Sequence, residues 1–493
     1  NLQSLTYMDA CHNSINKLPA EIGACTNLRH LNISFNRIPA FPNALGNLSD
    51  LTYFAFDTNL IRRLPLDFRN LRQLTRLQLG GNDLQDPPVE IVKEGIGAIL
   101  EYMDKFWVAT RTNALDLSGM DLRGVPKEVN QILTNLTDLD MQNNLLKKID
   151  LDQIRNLTLL TSLNVEFNRI KEIPEDIKIF TQIRQLFVGY NVLSTLPHEI
   201  GAMPHLDLIR FENNKLQRPP EDILNQGSSV VIEYLRRMYS ARETFKLDLS
   251  SFRLRAIPPE VTEFETLREL YLNENEISVF PVAMSTLVDL RVFEANKNNL
   301  STIPSAVKHL HQLTRMSLNN NRLTKLPQDL GSLDELMELD VTNNRLQALP
   351  SDLGRLPTLT ILVDGNALVF PPKSVYSQGS EIVIKYLHAL YVSRKSLACD
   401  LSDYGLTEWP EFVGVKSHTL EKIYLRNNKI PAIPSSMRVL TSLKTLDVSG
   451  NKLSALPVEC AKGWHNMQHL EMKDNSIFAL PLEVKLMNAL SYL

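Results

Sequence analysis

Gly95-Ile96-Gly97 comes nearest to a phosphate-cradling glycine run, and it lacks the third glycine of a dinucleotide loop. No G-x-x-x-x-G-K-[ST] segment occurs. His198-Glu199 begins like a zinc-protease helix. The next histidine is His205, not three residues after Glu199, so the spacing that sets two histidines one turn apart on a zinc ion fails. Cys11, Cys25, Cys399 and Cys460 have no C-x-x-C spacing for metal or redox work. Asp138 and Asp140 alternate on one strand face without the glycine and closing glutamate of a calcium loop, and read as solvated carboxylates. The expectation is a chain with no catalytic residue, no cofactor, no metal and no small-molecule substrate: not an enzyme.

The residue types that remain suit recognition. Phe167, Phe187, Tyr190, Arg210, Glu212, Tyr271 and Glu294 fall at outward positions of neighbouring short apolar segments. Aromatic residues and arginine are over-represented where proteins bind one another. A second group, Tyr7, His12, His30, Phe35 and Tyr53, is a weaker candidate. The plainer alternative is that Phe35, Phe167 and Tyr190 are filler of a repeating pattern.

That pattern is L-x-x-L-x-L-x-x-N-x-L. Its asparagine recurs at Asn13, Asn36, Asn59, Asn82, Asn144, Asn168, Asn191, Asn214, Asn275, Asn298, Asn321, Asn344, Asn366, Asn428, Asn451 and Asn475. Met120, Phe252 and Tyr404 keep the leucine frame without the amide, which makes nineteen repeats, mostly 22 to 24 residues apart. Alternation such as Leu31-Asn32-Ile33 predicts a strand with one face inward. The anchor amide both donates and accepts, so it can satisfy the tight turn that follows. Six residues after each anchor stands a proline, with Asp150 the sole break, which excludes a long helix there. No unit can bury its leucines alone, so the units must stack.

Anchor spacing jumps to 38 residues from Asn82 to Met120, from Asn214 to Phe252, and from Asn366 to Tyr404. Each gap carries a proline pair, an aliphatic residue, a glycine (Gly95, Gly227, Gly379) and then helical spacing. Ile99, Met103 and Phe106 form one apolar stripe, widened by Leu100 and Trp107, and Val231, Leu235 and Met238 and then Val383, Leu387 and Leu390 repeat it. Amphipathic helices are predicted near 96–109, 228–242 and 380–394. They cut one array, 1–493, into blocks 1–110, 111–242, 243–394 and 395–493. Each helix reads as a brace in preference to a docking face presented by Trp107, Tyr239 and Tyr391. The three missing amides are expected where the helix alters the neighbouring turn and an apolar side chain fills the space.

The repeat looks like that of leucine-rich-repeat proteins. Its L-x-x-L-P-x-x-I form resembles the intracellular Ras-suppressor, Scribble, Erbin and plant intracellular Ras-group-related type, and the inserted element is similar to that of Roco proteins and of leucine-rich-repeat-containing protein forty. The resemblance implies an α/β solenoid: a horseshoe with a parallel concave sheet, a turn-rich convex side and three inserted amphipathic helices. It further implies a cytoplasmic scaffold or adaptor that binds other proteins. Two alternatives are a structural part of a cytoskeletal or ciliary assembly, and the recognition arm of a Roco-type signalling GTPase whose catalytic part lies outside this chain.

Bulk properties agree. A net charge of -4 and a pI near 6.3 give no basic footprint for nucleic acid. No apolar run is long enough for membrane insertion. Four scattered cysteines without cysteine-dense ends suit a reducing compartment. The chain opens and closes inside a repeat, so it reads as part of a longer polypeptide.

Overall fold

The computed structural model describes residues 3–410 and 419–493. The chain packs into two compact units, 1–240 and 241–493, which are described separately.

Within each unit the repeat makes a three-residue parallel strand. In the first unit strands run from Tyr7–Asp9 to Leu208–Arg210, and in the second from Lys246–Asp248 to His469–Glu471. Register advances by one repeat: Tyr7 faces His30, and His30 faces Tyr53. The central residue of each strand points inward, and Leu31, Leu163 and Leu186 are at most 1% exposed, like Leu270, Leu339 and Leu446 in the second unit. Strands with one face buried read as alternating apolar and polar residues, as the sequence does.

The anchor asparagines account for the stacking. Asn168 Oδ1 accepts the Leu146 amide at 2.9 Å, while its Nδ2 donates to the carbonyls of Met141, Val165 and Glu166 at 3.0–3.1 Å. One side chain thereby satisfies backbone groups of its own turn and of the preceding repeat. Asn36, Asn59, Asn275, Asn321, Asn344 and Asn451 do the same. The residue just before the anchor takes a left-handed backbone, φ 53° at Phe167 and 51° at Tyr190. That conformation disfavours ordinary side chains, and Gly81, Gly365 and Gly450 occupy it where no side chain is carried.

On the opposite side the proline column starts the turn. Pro19 and Pro42 sit at φ near -70° and lead into five-residue 3-10 turns, Ala20–Ala24 and Asn43–Asn47. Where Asp150 replaces proline the turn shrinks to Leu151–Gln153.

The three inserted helices are Ile96–Thr112 (α1), Ser228–Thr244 (α2) and Ser380–Ser396 (α3). Gly95, Gly227 and Gly379 precede them at φ of 90–99°, which a residue with a Cβ rarely adopts. The helices run two or three residues past their expected ends. Their last turns, such as Arg111-Thr112 and Lys395-Ser396, are polar and leave no apolar period to read. The strands form four sheets, with four, five, six and four members, and each break falls at an inserted helix. Phe252 is buried, and Met120 and Tyr404 are half-buried. Tyr404 meets Tyr386 of α3 edge-on at 5.5 Å, so an apolar side chain occupies the place where the amide column is interrupted.

The helices are tied down. In α1 Trp107 lies between two guanidinium groups, Arg69 at 3.7 Å and Arg111 at 3.8 Å, and Arg69 also pairs with Asp104 at 3.2 Å. In α3 Arg394 holds both oxygens of Asp352 at 3.0 Å. A Cβ on Gly354 would collide with the backbone of Leu387 and His388, so glycine permits the close approach. No helix among the described residues is long and apolar enough to cross a membrane.

Candidate functional site

Outward strand positions form columns, because each strand repeats the previous one in register. In the first unit the strands Ala114–Asp116, Asp138–Asp140, Ser162–Asn164, Gln185–Phe187 and Leu208–Arg210 lie side by side. Five residues expected at the site belong here. The left-handed turn throws Phe167 and Tyr190 outward, 48% and 46% exposed, and their rings stack at 4.1 Å and 11°. Phe187 and Arg210 are cross-strand partners, with the guanidinium 4.9 Å above the ring. Glu212 is exposed beside them.

Two acids join this group that the sequence did not single out as binding residues. Asp140 was expected to be solvated. It is half-buried, its Oδ2 accepts from Asn164 at 3.1 Å, and its Oδ1 accepts the Gln142 amide at 2.9 Å. Burial pushes its carboxyl up from the ordinary range, and nearby Asp116 adds to the effect. Glu166 is only 8% exposed, yet its carboxylate closes no hydrogen bond or ion pair with any described residue. Burial raises its carboxyl, Arg210 opposes the rise, and Glu212 and Asp140 reinforce it. The signal available in the sequence was the position of Glu166, two residues beyond the outward Asn164 and next to Phe167.

Tyr271 and Glu294 belong to the second unit, where the corresponding face satisfies itself. The Tyr271 hydroxyl donates to Glu269 at 3.0 Å, and Lys246 lies 4.7 Å over its ring. Glu294 accepts from Asn273 at 3.1 Å and pairs with Arg315 at 3.6 Å. Farther on, Asn319 donates to Asp340 at 2.8 Å. Five of the seven expected residues thus lie in the first unit, and Tyr271 and Glu294 in the second.

The weaker group near the start is more ordered than its spacing suggested. Tyr7, His30 and Tyr53 stack in series at 4.2 and 4.1 Å with nearly parallel planes, and His12 stacks on Phe35 at 4.2 Å. Ring faces are spent on each other, leaving edges toward solvent.

Parallel three-residue strands, an amide ladder and proline-led turns make each unit a solenoid of leucine-rich repeats, with its distinctive side chains on the open sheet face. Two stretches match family profiles described as Leucine rich repeat, residues 418–477 and 24–38. Among curated proteins the chain is similar to podocan of Mus musculus, 26% identical over a 204-residue alignment that covers 34% of this chain and 33% of that protein. It is also similar to lumican of Gallus gallus, 25% identical over 180 residues, 33% of this chain and 50% of the other. The chain thus spans between a third and a half of the length of these relatives. Among solved structures it is similar to a leucine-rich-repeat protein of Leptospira interrogans, 20% identical, covering 100% of this chain and 96% of that one at a TM-score of 0.22. The ectodomain of the Arabidopsis receptor kinase HAESA with a peptide hormone ligand is 21% identical, covering 98% and 77% at a TM-score of 0.27.

Proposed function

We propose that this chain is a non-enzymatic protein-interaction scaffold or adaptor that receives its partners on the sheet face of its repeats. One observation carries the reading: the stacked Phe167–Tyr190 pair stands nearly half exposed beside the acids of the same sheet. Rigid aromatic pairs of this kind are favoured binding anchors, because they offer large apolar area for little loss of side-chain freedom. The described interior is mostly aliphatic side chains packed on one another.

A cytoplasmic setting fits the four cysteines, all of them free thiols. The L-x-x-L-P-x-x-I form of the repeat supports placing the chain with intracellular scaffolds of the Ras-suppressor and Scribble type. The test is capture of partners from cytosolic extract by the wild-type chain and by a Phe167→Ala, Tyr190→Ala double variant. The variant is expected to lose partners while melting within about 3 °C of wild type, since both rings are half exposed. Full retention of every captured partner would overturn the proposal.

A further inference from the structure

We infer that the sheet face of the first unit, between strands Asp138–Asp140 and Leu208–Arg210, takes up a lysine- or arginine-bearing extended segment of a partner protein, with Glu166 as counter-charge to its cation. This rests on the interaction reading above and names the chemistry of the partner.

The argument begins with the column in which Glu166 stands. Several of its members use their side chain to accept the amide of the corresponding residue one repeat on. Asp57 accepts from Gly80 at 2.7 Å, Asn273 from Asn296 at 2.8 Å, and Asn296 from Asn319 at 2.9 Å. Glu166 is one methylene longer and makes no such bond to Gly189. Its Oε1 instead occupies the space beside that glycine, 2.8 Å from where a Cβ would stand. As a residue Glu166 is more than nine-tenths buried, and its unpartnered carboxylate keeps contact with solvent.

A desolvated carboxylate without a partner is costly, and folded chains keep one only where something pairs with it. Arg210 acts on it without a hydrogen bond or ion pair, and Glu212 and Asp140 act against Arg210. A bound cation would relieve the strain. A metal ion fits poorly, for no group of three or more His, Cys, Asp or Glu among the described residues could hold one. A lysine or arginine needs no such cage, and its aliphatic stem can lie along the Phe167–Tyr190 rings while its head reaches the carboxylate. The extended form follows from the columns, whose outward positions recur at two-residue spacing along each strand.

The test is fluorescence anisotropy of a labelled octapeptide of alternating arginine and serine against the full chain, with a glutamate–serine octapeptide as control. Glu166→Gln is expected to weaken binding of the basic peptide about tenfold or more, the usual worth of a charge-assisted contact. Glu175→Gln removes the same charge from an exposed site on the opposite turn, and is expected to change affinity by less than about twofold. Glu166→Gln should melt at the wild-type temperature or above it, which separates loss of binding from loss of fold. Equal affinities for the two variants, no binding by wild type, or preference for the acidic peptide would each overturn the inference. If Glu166→Gln is silent while the Phe167→Ala, Tyr190→Ala variant still loses its captured partners, this inference fails and the interaction reading stands. If both are silent, both fail.

Discussion

Asp86 and Glu128 place two carboxyl groups in one buried site against α1, 5% and 1% exposed, with the Tyr102 phenol lying against both. Arg63 is the cation acting on both acids, and Lys127 acts on Glu128 as well. Burial, and then the charge of Glu128, pushes Asp86 up to about 8. The corresponding position carries Arg218 in the second copy of the element and Phe370 in the third, so the acid is peculiar to the first. An unfolded aspartate titrates near ~3.9, so the native chain holds a proton that the unfolded chain releases. The associated stabilisation is complete below about pH 4 and is lost as pH rises to about 8. Asp86→Asn should flatten the melting temperature between pH 5 and 9 and, at pH 9, melt about 2–4 °C above wild type. Circular dichroism melts across that range decide it, and an unchanged slope would refute the assignment.

Removing one amide from the ladder should cost more than removing an exposed aromatic ring. Asn168→Ala strands the Leu146 amide and takes one of two donors from the carbonyls of Met141, Val165 and Glu166, which Asn144, Asn191 and the Asn143 amide still reach. Leaving one buried backbone amide unsatisfied costs about 1–3 kcal/mol, and that is the expected loss. Urea titration with protection of amides in the neighbouring repeats checks this. Because repeats couple chiefly to their neighbours, the loss of protection should be local, strongest between strands Asp138–Asp140 and Gln185–Phe187.

The repeats were legible in the sequence because at least one of two chemically independent columns, asparagine and proline, marks every unit, and a stack leaves little choice of what each does. The helices were legible from their apolar stripes, though not their polar last turns. Glu166 was not legible. Its isolation depends on one extra methylene and on neighbours one and two repeats away, Gly189 and Arg210, which a single repeat does not reveal. Asp140 was misjudged for the same reason, since strand alternation gives the face of a residue but not how its neighbours cover it. Tyr7, His30 and Tyr53 were seen as a group, whereas their stacking needed the exact register of three strands.

Trp107 tests whether α1 is a brace. Its ring is sandwiched by Arg69 and Arg111 and is half-buried. Each guanidinium contact is worth roughly 0.5–1 kcal/mol, and half-burial of an indole adds roughly another 1 kcal/mol. Trp107→Ala should therefore destabilise the chain by about 2 kcal/mol in urea titration while leaving partner capture intact. Loss of partners without loss of stability would make α1 a docking element instead.

Thiol reactivity offers a check on the packing of the first and last repeats. Cys25, Cys399 and Cys460 are buried, and burial pushes the Cys399 and Cys460 thiols up to about 12, out of reach of thiolate chemistry at neutral pH. Cys11 is half-buried, and hydrogen bonding to Asp9, then burial, raises its thiol above the ordinary value. Ellman's reagent at pH 8 should therefore titrate a single slow thiol in the native chain and all four in denaturant. Asp9→Asn removes the acceptor charge that holds the proton on sulfur, so the slow thiol should react several-fold faster, by about the factor that its thiolate fraction gains. Cys11→Ser should abolish the native reaction. A native thiol that still titrates in Cys11→Ser would show that one of the three buried cysteines opens to solvent, and would contradict the packing of its repeat.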